Sequence, residues 1–384
     1  MKFIIKLLTL PLLVFMLGFP HQVKEPIAEI VYLPQKVIEE AIAPEMEILD
    51  QMTLEEKVGQ LFIFGFYGTT LNVDLKMLIK SNKAGGLLLL GRNISNIQQL
   101  EKLITQSQKE SKIPLFICID QEGGTVARLG GNSILTISQS NMDTNKEAYD
   151  IAYERGKILK GYGININFAP VVEYVTDSSA FMYQRAFRGT KDEVIGKSIS
   201  AMEGYSNSGI ISVPKHFPGH SNTTSDPHLR IPTINTKEKD WDNFTYTFTE
   251  IVKKKEPSIL MIGHILFPNI DSNISTTSLE IIEKRLKNDL NYQGVVLTDD
   301  MNMGAVDSEN PLTVAKKALL AGNDMLMYSK DIGIQQEVYQ GLVQAVNENE
   351  ISEESINGKV LKILRLKIEY KIINPELIVN SSED

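Results

Sequence analysis

The sequence predicts an α/β fold, a (β/α)8 barrel of the TIM type built as a single domain, and three observations carry that expectation. First, eight short apolar runs recur along the chain: Leu61–Phe66, Gly86–Leu90, Pro114–Asp120, Asn165–Val171, Ser212–Phe217, Ile259–Ile265, Val295–Asp299 and Asp324–Tyr328. They are continuously apolar rather than alternating, as strands covered on both faces require. Second, helix-length segments separate them, among them Ile97–Lys109, Lys146–Gly161, Lys191–Ser206, Lys237–Lys255, Leu279–Leu290, Pro311–Ala321 and Ile334–Asn347. Third, eight such units within about 330 residues fit a closed barrel better than a doubly wound open sheet.

At the start of the chain, Lys2 and Lys6 precede an uncharged run of 13 residues from Leu7 to Phe19. That is short for a membrane span and right for the core of a secretory signal. Gly18-Phe19-Pro20 makes a poor cleavage site, so residues 1–20 read as a signal peptide or as an uncleaved N-terminal anchor. Either reading places the protein outside the cytoplasm, in the envelope, periplasm or exterior. Residues 21–45, with Pro26, Pro34 and Pro44, read as a linker, 46–372 as the barrel domain, and 373–384 as a polar tail.

Within the domain, Thr53 and Glu56 form a capping-box pattern that starts a short helix. Pro311 suits a first helical turn. Residues 352–370 read as an amphipathic helix that closes the barrel, with Lys and Arg on a solvated face. The sole cysteine, Cys118, has no internal disulfide partner and reads as a small buried hydrophobe. Trp241 reads as core. A net charge of −9 and a pI near 5.3 argue against nucleic acid or an anionic membrane surface as a partner. Membrane contact is left only to an uncleaved N-terminus.

Barrels of this kind carry their chemistry where the strands end. The unusual polar residues fall there: Asp120-Gln121-Glu122-Gly123-Gly124 and then Arg128, Arg185 in QRAFRGT, Lys215-His216, His264, and Thr298-Asp299-Asp300. The stretch from Lys215 to Pro232 holds three of the five histidines, and Pro218, Gly219 and Pro227 keep it a loop. Convergence of these groups fits a small polar substrate rich in hydroxyls. Bland readings stand beside this one: Asp120 as a turn cap, Arg128 and Arg185 as rim ion pairs, His216 as a core histidine. His220 reads as a loop brace and Glu122 as a partner of its own loop's amides. A metal held by His216, His220 and His228 is disfavoured, because HFPGH cannot place two ligands on one helical face and no cysteines assist. Gly123-Gly124 matches neither a P-loop nor a GxGxxG fingerprint. No metal and no cofactor are expected.

The set DQEGG-x3-R, NFAPVVE, RAF, KHFPGH-x5-D-x-H-x3-P, TDDMNMGAV and AGND, in that order, resembles glycoside hydrolase family 3, in particular its single-barrel β-N-acetylglucosaminidase branch. The resemblance covers residues from about 50 to 370. It implies a retaining double displacement with Asp299 as nucleophile, although the residues alone do not separate Asp299 from Asp300. It further implies His228 as acid/base with Asp226 as its partner, and Asp120, Arg128, Arg185, Lys215 and His216 as the groups that hold an N-acetylglucosamine ring. The implied partner is a carbohydrate, with a phosphorylase or a catalytically silent sugar-binding protein as the alternatives. Four positions depart from the family pattern: Pro227 replaces Ser between the Asp and His, Ser221-Asn222 replaces Gly-Asp, and Glu173 replaces a more usual Asp.

Overall fold

A computed structural model of the chain describes residues 43–374 except 228, 305 and 307–309. The expected signal segment, nearly all of the expected linker, and the tail beyond 374 therefore lie outside the described residues. Ten strands occur: β1 (Phe62–Gly65), β2 (Gly86–Leu89), β3 (Phe116–Ile119), β4 (Gln121–Gly123), β5 (Val126–Ala127), β6 (Ile166–Asn167), β7 (Ile211–Ser212), β8 (Ile259–Ile262), β9 (Val295–Asp300) and β10 (Met325–Tyr328). Eight of them form one parallel sheet in the order β7-β6-β3-β2-β1-β10-β9-β8, and β4 and β5 form a small antiparallel hairpin.

Because β1 lies between β2 and β10, the first and last strands are neighbours, and the sheet curls into a barrel. The remaining seam, between β7 and β8, is closed by the backbone just past β7. Phe217 N donates to Met261 O at 2.8 Å, Gly263 N to Phe217 O at 2.9 Å, and Met261 N to Pro214 O at 3.1 Å. All eight predicted runs are strands of this barrel. β6 and β7 are shorter than predicted because Pro170 and Pro214, which lack an N–H, interrupt their ladders. The pairing resumes beyond them at Val171 and Lys215.

The strand side chains are buried on both faces, as their unbroken apolar runs demand. Phe62 and Phe64 stack at 4.9 Å beneath the helices, and burying each is worth roughly 1.5–3 kcal/mol. The helices Asn145–Gly161 and Lys191–Ser208 pack closely against each other. A Cβ at Gly204 would lie 2.4 Å from Tyr149 O, so only glycine permits that approach. The Thr53–Glu56 capping box is present, and Asn310 caps the helix that begins at Pro311.

Three features differ from expectation. A helix at Pro44–Asp50 begins inside the stretch read as linker, and its Glu45 pairs with Arg365 at 3.0 Å. The helix expected over Lys237–Lys255 is divided into a 3-10 turn, Trp241–Phe244 and Tyr246–Lys255. At that break the Thr245 hydroxyl donates to Trp241 O, competing with the helical ladder. Glu280–Asp289 is wound as a π-helix. No helix among the described residues is long and apolar enough to cross a membrane.

Candidate active site

The C-terminal ends of the barrel strands surround a cavity of about 590 Å³. Asp120, Arg128, Arg185, Lys215, His216 and Asp299 line it together, with Asp300 and Pro227. Six of the eight site residues predicted from the sequence therefore meet in one place. Asp226 sits half-buried in the loop that contributes Pro227, and His228 lies outside the described residues.

On one side is a buried charge cluster. Lys215 Nζ reaches Asp120 Oδ1 at 2.7 Å and Glu122 Oε1 at 2.6 Å. Arg185 grips Glu122 with two bonds, Nε to Oε2 at 2.9 Å and Nη2 to Oε1 at 2.7 Å. Arg128 Nη2 lies 3.4 Å from Asp120 Oδ2. Burial raises the Asp120 pKa, but Lys215, Arg128 and Arg185 outweigh it and hold the carboxyl down at about 2. Glu122 is likewise held below its ordinary range by Arg185 and Lys215 against the effect of burial. Glu122 is thus not a partner of its own loop's amides. It is the carboxylate that positions two cavity cations.

The hairpin bearing Glu122 is itself braced from behind. Gly123 has φ +92, and a Cβ there would lie 1.9 Å from Ile137 O. Arg155, fully buried, donates to Glu122 O at 2.8 Å, Ile134 O at 3.0 Å and Ile137 O at 2.7 Å. Asn167 and Gln121 exchange two bonds at 2.9 and 3.0 Å, fastening the hairpin to β6.

On the opposite side the two neighbouring aspartates divide their tasks. Asp300 Oδ1 accepts from Asn302 N at 3.1 Å and Ser329 N at 2.9 Å, while its Oδ2 accepts from the Ser329 hydroxyl. Burial and the adjacent Asp299 raise its pKa. Asp299 Oδ1 accepts the Asp300 amide at 2.8 Å. Its Oδ2 has no hydrogen-bond partner among the described residues and lies 3.9 Å from His216 Nε2. Burial raises the Asp299 pKa, but His216, His264, the Asp300 amide and Lys215 bring it below the ordinary value, so the carboxylate is ionised at neutral pH.

His216 is 4% exposed, and burial brings its pKa down to about 4. His220 is fully buried and is a brace, as its setting in the sequence indicated. His264 is also buried, with Nδ1 2.5 Å from Thr276 Oγ1 and Nε2 3.1 Å from Asp300 O.

The sequence and the architecture match known proteins. The family described as Glycosyl hydrolase family 3 N terminal domain matches residues 53–366. The chain belongs to glycoside hydrolase family 3. It is 28% identical to a protein named Beta-hexosaminidase A from Pseudoalteromonas piscicida, over 82% of this chain and 58% of that one. It is 30% identical to a Beta-hexosaminidase from Idiomarina loihiensis, over 69% and 82%. Among solved structures, a family 3 β-N-acetylglucosaminidase from Paenibacillus sp. str. FPU-7 superposes with a TM-score of 0.78 at 31% identity, covering 84% of this chain and 63% of that one. The chain thus spans less than two thirds of the length of two of these three.

Within this family 3 barrel, the loop from Gly219 to Arg230 is fastened to its neighbour by one of the atypical residues. Asn222 Oδ1 accepts the Thr176 and Asp177 amides at 2.9 and 3.0 Å, and Phe181 N donates to Thr223 O at 2.9 Å. Glu173, His216 and His220 form the one group among the described residues with a metal-ligating composition. The Glu173 oxygens already accept from both imidazole Nδ1 atoms and two backbone amides, while His220 Nε2 is buried with no hydrogen-bond partner among the described residues. The sequence reading did not foresee the roles of Glu122, Glu173 or Arg155. For Arg155 a signal existed, since it falls on the same helical face as Ala148, Ala152 and Leu159.

Proposed function

We propose that the chain is an exported, exo-acting, retaining β-N-acetylglucosaminidase that removes terminal β-linked N-acetylglucosamine from peptidoglycan fragments or related glycans. One observation supports it above the rest: Asp299 presents a carboxylate oxygen without a hydrogen-bond partner among the described residues, across a cavity whose other wall is a fixed Asp120–Lys215–Glu122–Arg185 cluster. A carboxylate that attacks an anomeric carbon needs an oxygen free of donors and a substrate held by groups that do not themselves move. The names carried by the relatives support the acetamido sugar as substrate, and the segment 1–20 supports export.

In this reading Asp299 Oδ2 attacks C1 as His228 protonates the leaving glycosidic oxygen, giving a covalent glycosyl-enzyme. His228 then takes a proton from water, which attacks C1 and releases the sugar with retained configuration. An imidazole starts near pKa 6.5 and serves both steps near neutral pH, and the Asp226 carboxylate favours and orients its protonated form. Asp120 and the cations around it hold ring hydroxyls, and the bonds that the Asp120 carboxylate accepts strengthen as positive charge develops on the ring.

The test is release from an aryl β-N-acetylglucosaminide by the chain lacking residues 1–20, with the matching β-glucoside as control, with and without phosphate. Selective, phosphate-independent release is expected. A phosphate requirement with release of a sugar phosphate would reassign the chain as a phosphorylase, and no release would leave a sugar-binding protein. His228→Ala is expected to slow substrates with poor leaving groups by about 10²–10⁴-fold and activated aryl substrates far less. Equal losses on both would contradict the acid role.

A further inference from the structure

Glu173 follows β6 and stands behind the cavity wall, 1% exposed. Its Oε1 lies 2.9 Å from His216 Nδ1 and 3.0 Å from His220 Nδ1, and its Oε2 accepts the His220 amide at 2.6 Å. The His216 amide completes the set at 3.3 Å. The two imidazoles meet edge to face, with centroids 5.1 Å apart. Burial pushes the Glu173 pKa up, but His220 and the hydrogen bonds from both imidazoles hold it below the ordinary carboxylate range. An ionised carboxylate is acceptor-only, so the proton in each of those contacts belongs to the Nδ1 atom.

We propose that Glu173 is a positioning residue that locks His216 in its Nδ1–H tautomer, leaving the Nε2 lone pair turned to the cavity beside Asp299. Two consequences follow for the chemistry. In the opposite tautomer Nε2–H would face Asp299 Oδ2 across 3.9 Å, so that an approach of about half an ångström would let it donate and damp the nucleophilicity of that oxygen. In the locked tautomer Nε2 is an acceptor, open to Arg185 Nη2 at 3.5 Å or to a substrate hydroxyl. His216 then helps to read the sugar without competing for the attacking oxygen. A single oxygen, Oε1, bridges both imidazoles, which ties the His220 turn to the same anchor.

This inference rests on the glycosidase reading for its kinetic consequence but not for its structural one. The direct test is a ¹⁵N–¹H spectrum of the histidine rings of the wild-type chain at pH 7, assigned by comparison with a His216→Gln variant. His216 is expected to carry its proton on Nδ1, with a bare Nε2; a proton on Nε2 would overturn the proposal whatever the activity. Kinetics give the second arm. Glu173→Gln replaces an acceptor-only group by one that also donates, and is expected to lower kcat on the aryl β-N-acetylglucosaminide by about 10²-fold with a smaller change in KM. That is below the ~10⁴-fold loss seen when a mis-set imidazole is itself the base. Glu173→Asp, which keeps the charge, is expected to return to within about tenfold of wild type. Wild-type kcat and unchanged ring tautomers in a folded Glu173→Gln variant would also overturn the proposal. If that variant does not fold, the wild-type spectrum and the Glu173→Asp kinetics still decide. An inactive wild type with His216 protonated on Nδ1 would refute the function and leave the lock standing.

Discussion

Glu122 shows how much a single residue carries here. It is a buried carboxylate gripped by Arg185 and Lys215, and removing one member of such a network strands the others in a low-dielectric site. Glu122→Gln is expected to lower unfolding free energy by about 3 kcal/mol and to raise KM, both readable from urea denaturation and Michaelis curves. Unchanged stability would mean that solvent screens the cluster despite its burial. At this scale the sequence was informative about which polar residues meet, because charged groups at the ends of apolar runs have nowhere else to go in a barrel. It was silent on who holds whom. Asp299 and Asp300 are chemically identical neighbours in sequence, and only the contacts of Asp300 with Ser329 and Asn302 distinguish them. Glu173 looked like an incidental change from Asp, since its two histidine partners lie more than 40 positions along the chain.

Among the elements, the hairpin β4–β5 governs the cavity because it carries Glu122 between Asp120 and Arg128. Its turn depends on Gly123 at φ +92 with Ile137 O packed against the missing side chain. Gly123→Ala is expected to cost more than about 2 kcal/mol from backbone strain and displacement, and to reduce activity by shifting Glu122. A variant with wild-type melting and turnover would show that the hairpin relaxes freely. The eight barrel strands were legible because burial on both faces leaves an unbroken apolar run. The hairpin was not, since three residues of Gln-Glu-Gly have no strand pattern and are ordered by Arg155, by Asn167 and by the bonds of the Gln121 side chain to Leu129 O and Leu135 O. The break at Thr245 was hidden for a similar reason: Thr is tolerated within a helix, and its hydroxyl's bond to Trp241 O is settled only by the surrounding packing.

For the molecule as a whole, the barrel tolerates buried ionisable groups that line no part of the cavity, and Lys367 is one of them. Lys367 is fully buried, bonded to Gln60 Oε1 at 2.7 Å and Gly85 O at 2.9 Å, and burial brings its pKa down to about 7. Its folded pKa lies below the unfolded value, so the unfolded chain binds the extra proton between about pH 7 and 10. Stability from this group therefore rises with pH across that window and is least below pH 7. Lys367→Met removes the dependence. The difference in unfolding free energy between wild type and variant is expected to shift toward wild type by on the order of 4 kcal/mol between pH 6 and pH 10. A pH-independent difference would contradict the buried, depressed lysine. The central claim for the whole molecule is that Asp299 forms a covalent bond to an N-acetylglucosaminyl group during turnover. The most direct measurement is peptide mass mapping of the enzyme acid-quenched during turnover of an activated, slowly hydrolysed fluorinated N-acetylglucosaminide. The account predicts one glycosyl adduct on Asp299, absent from Asp299→Asn; active enzyme with an adduct on Asp300, or with none at all, would contradict it.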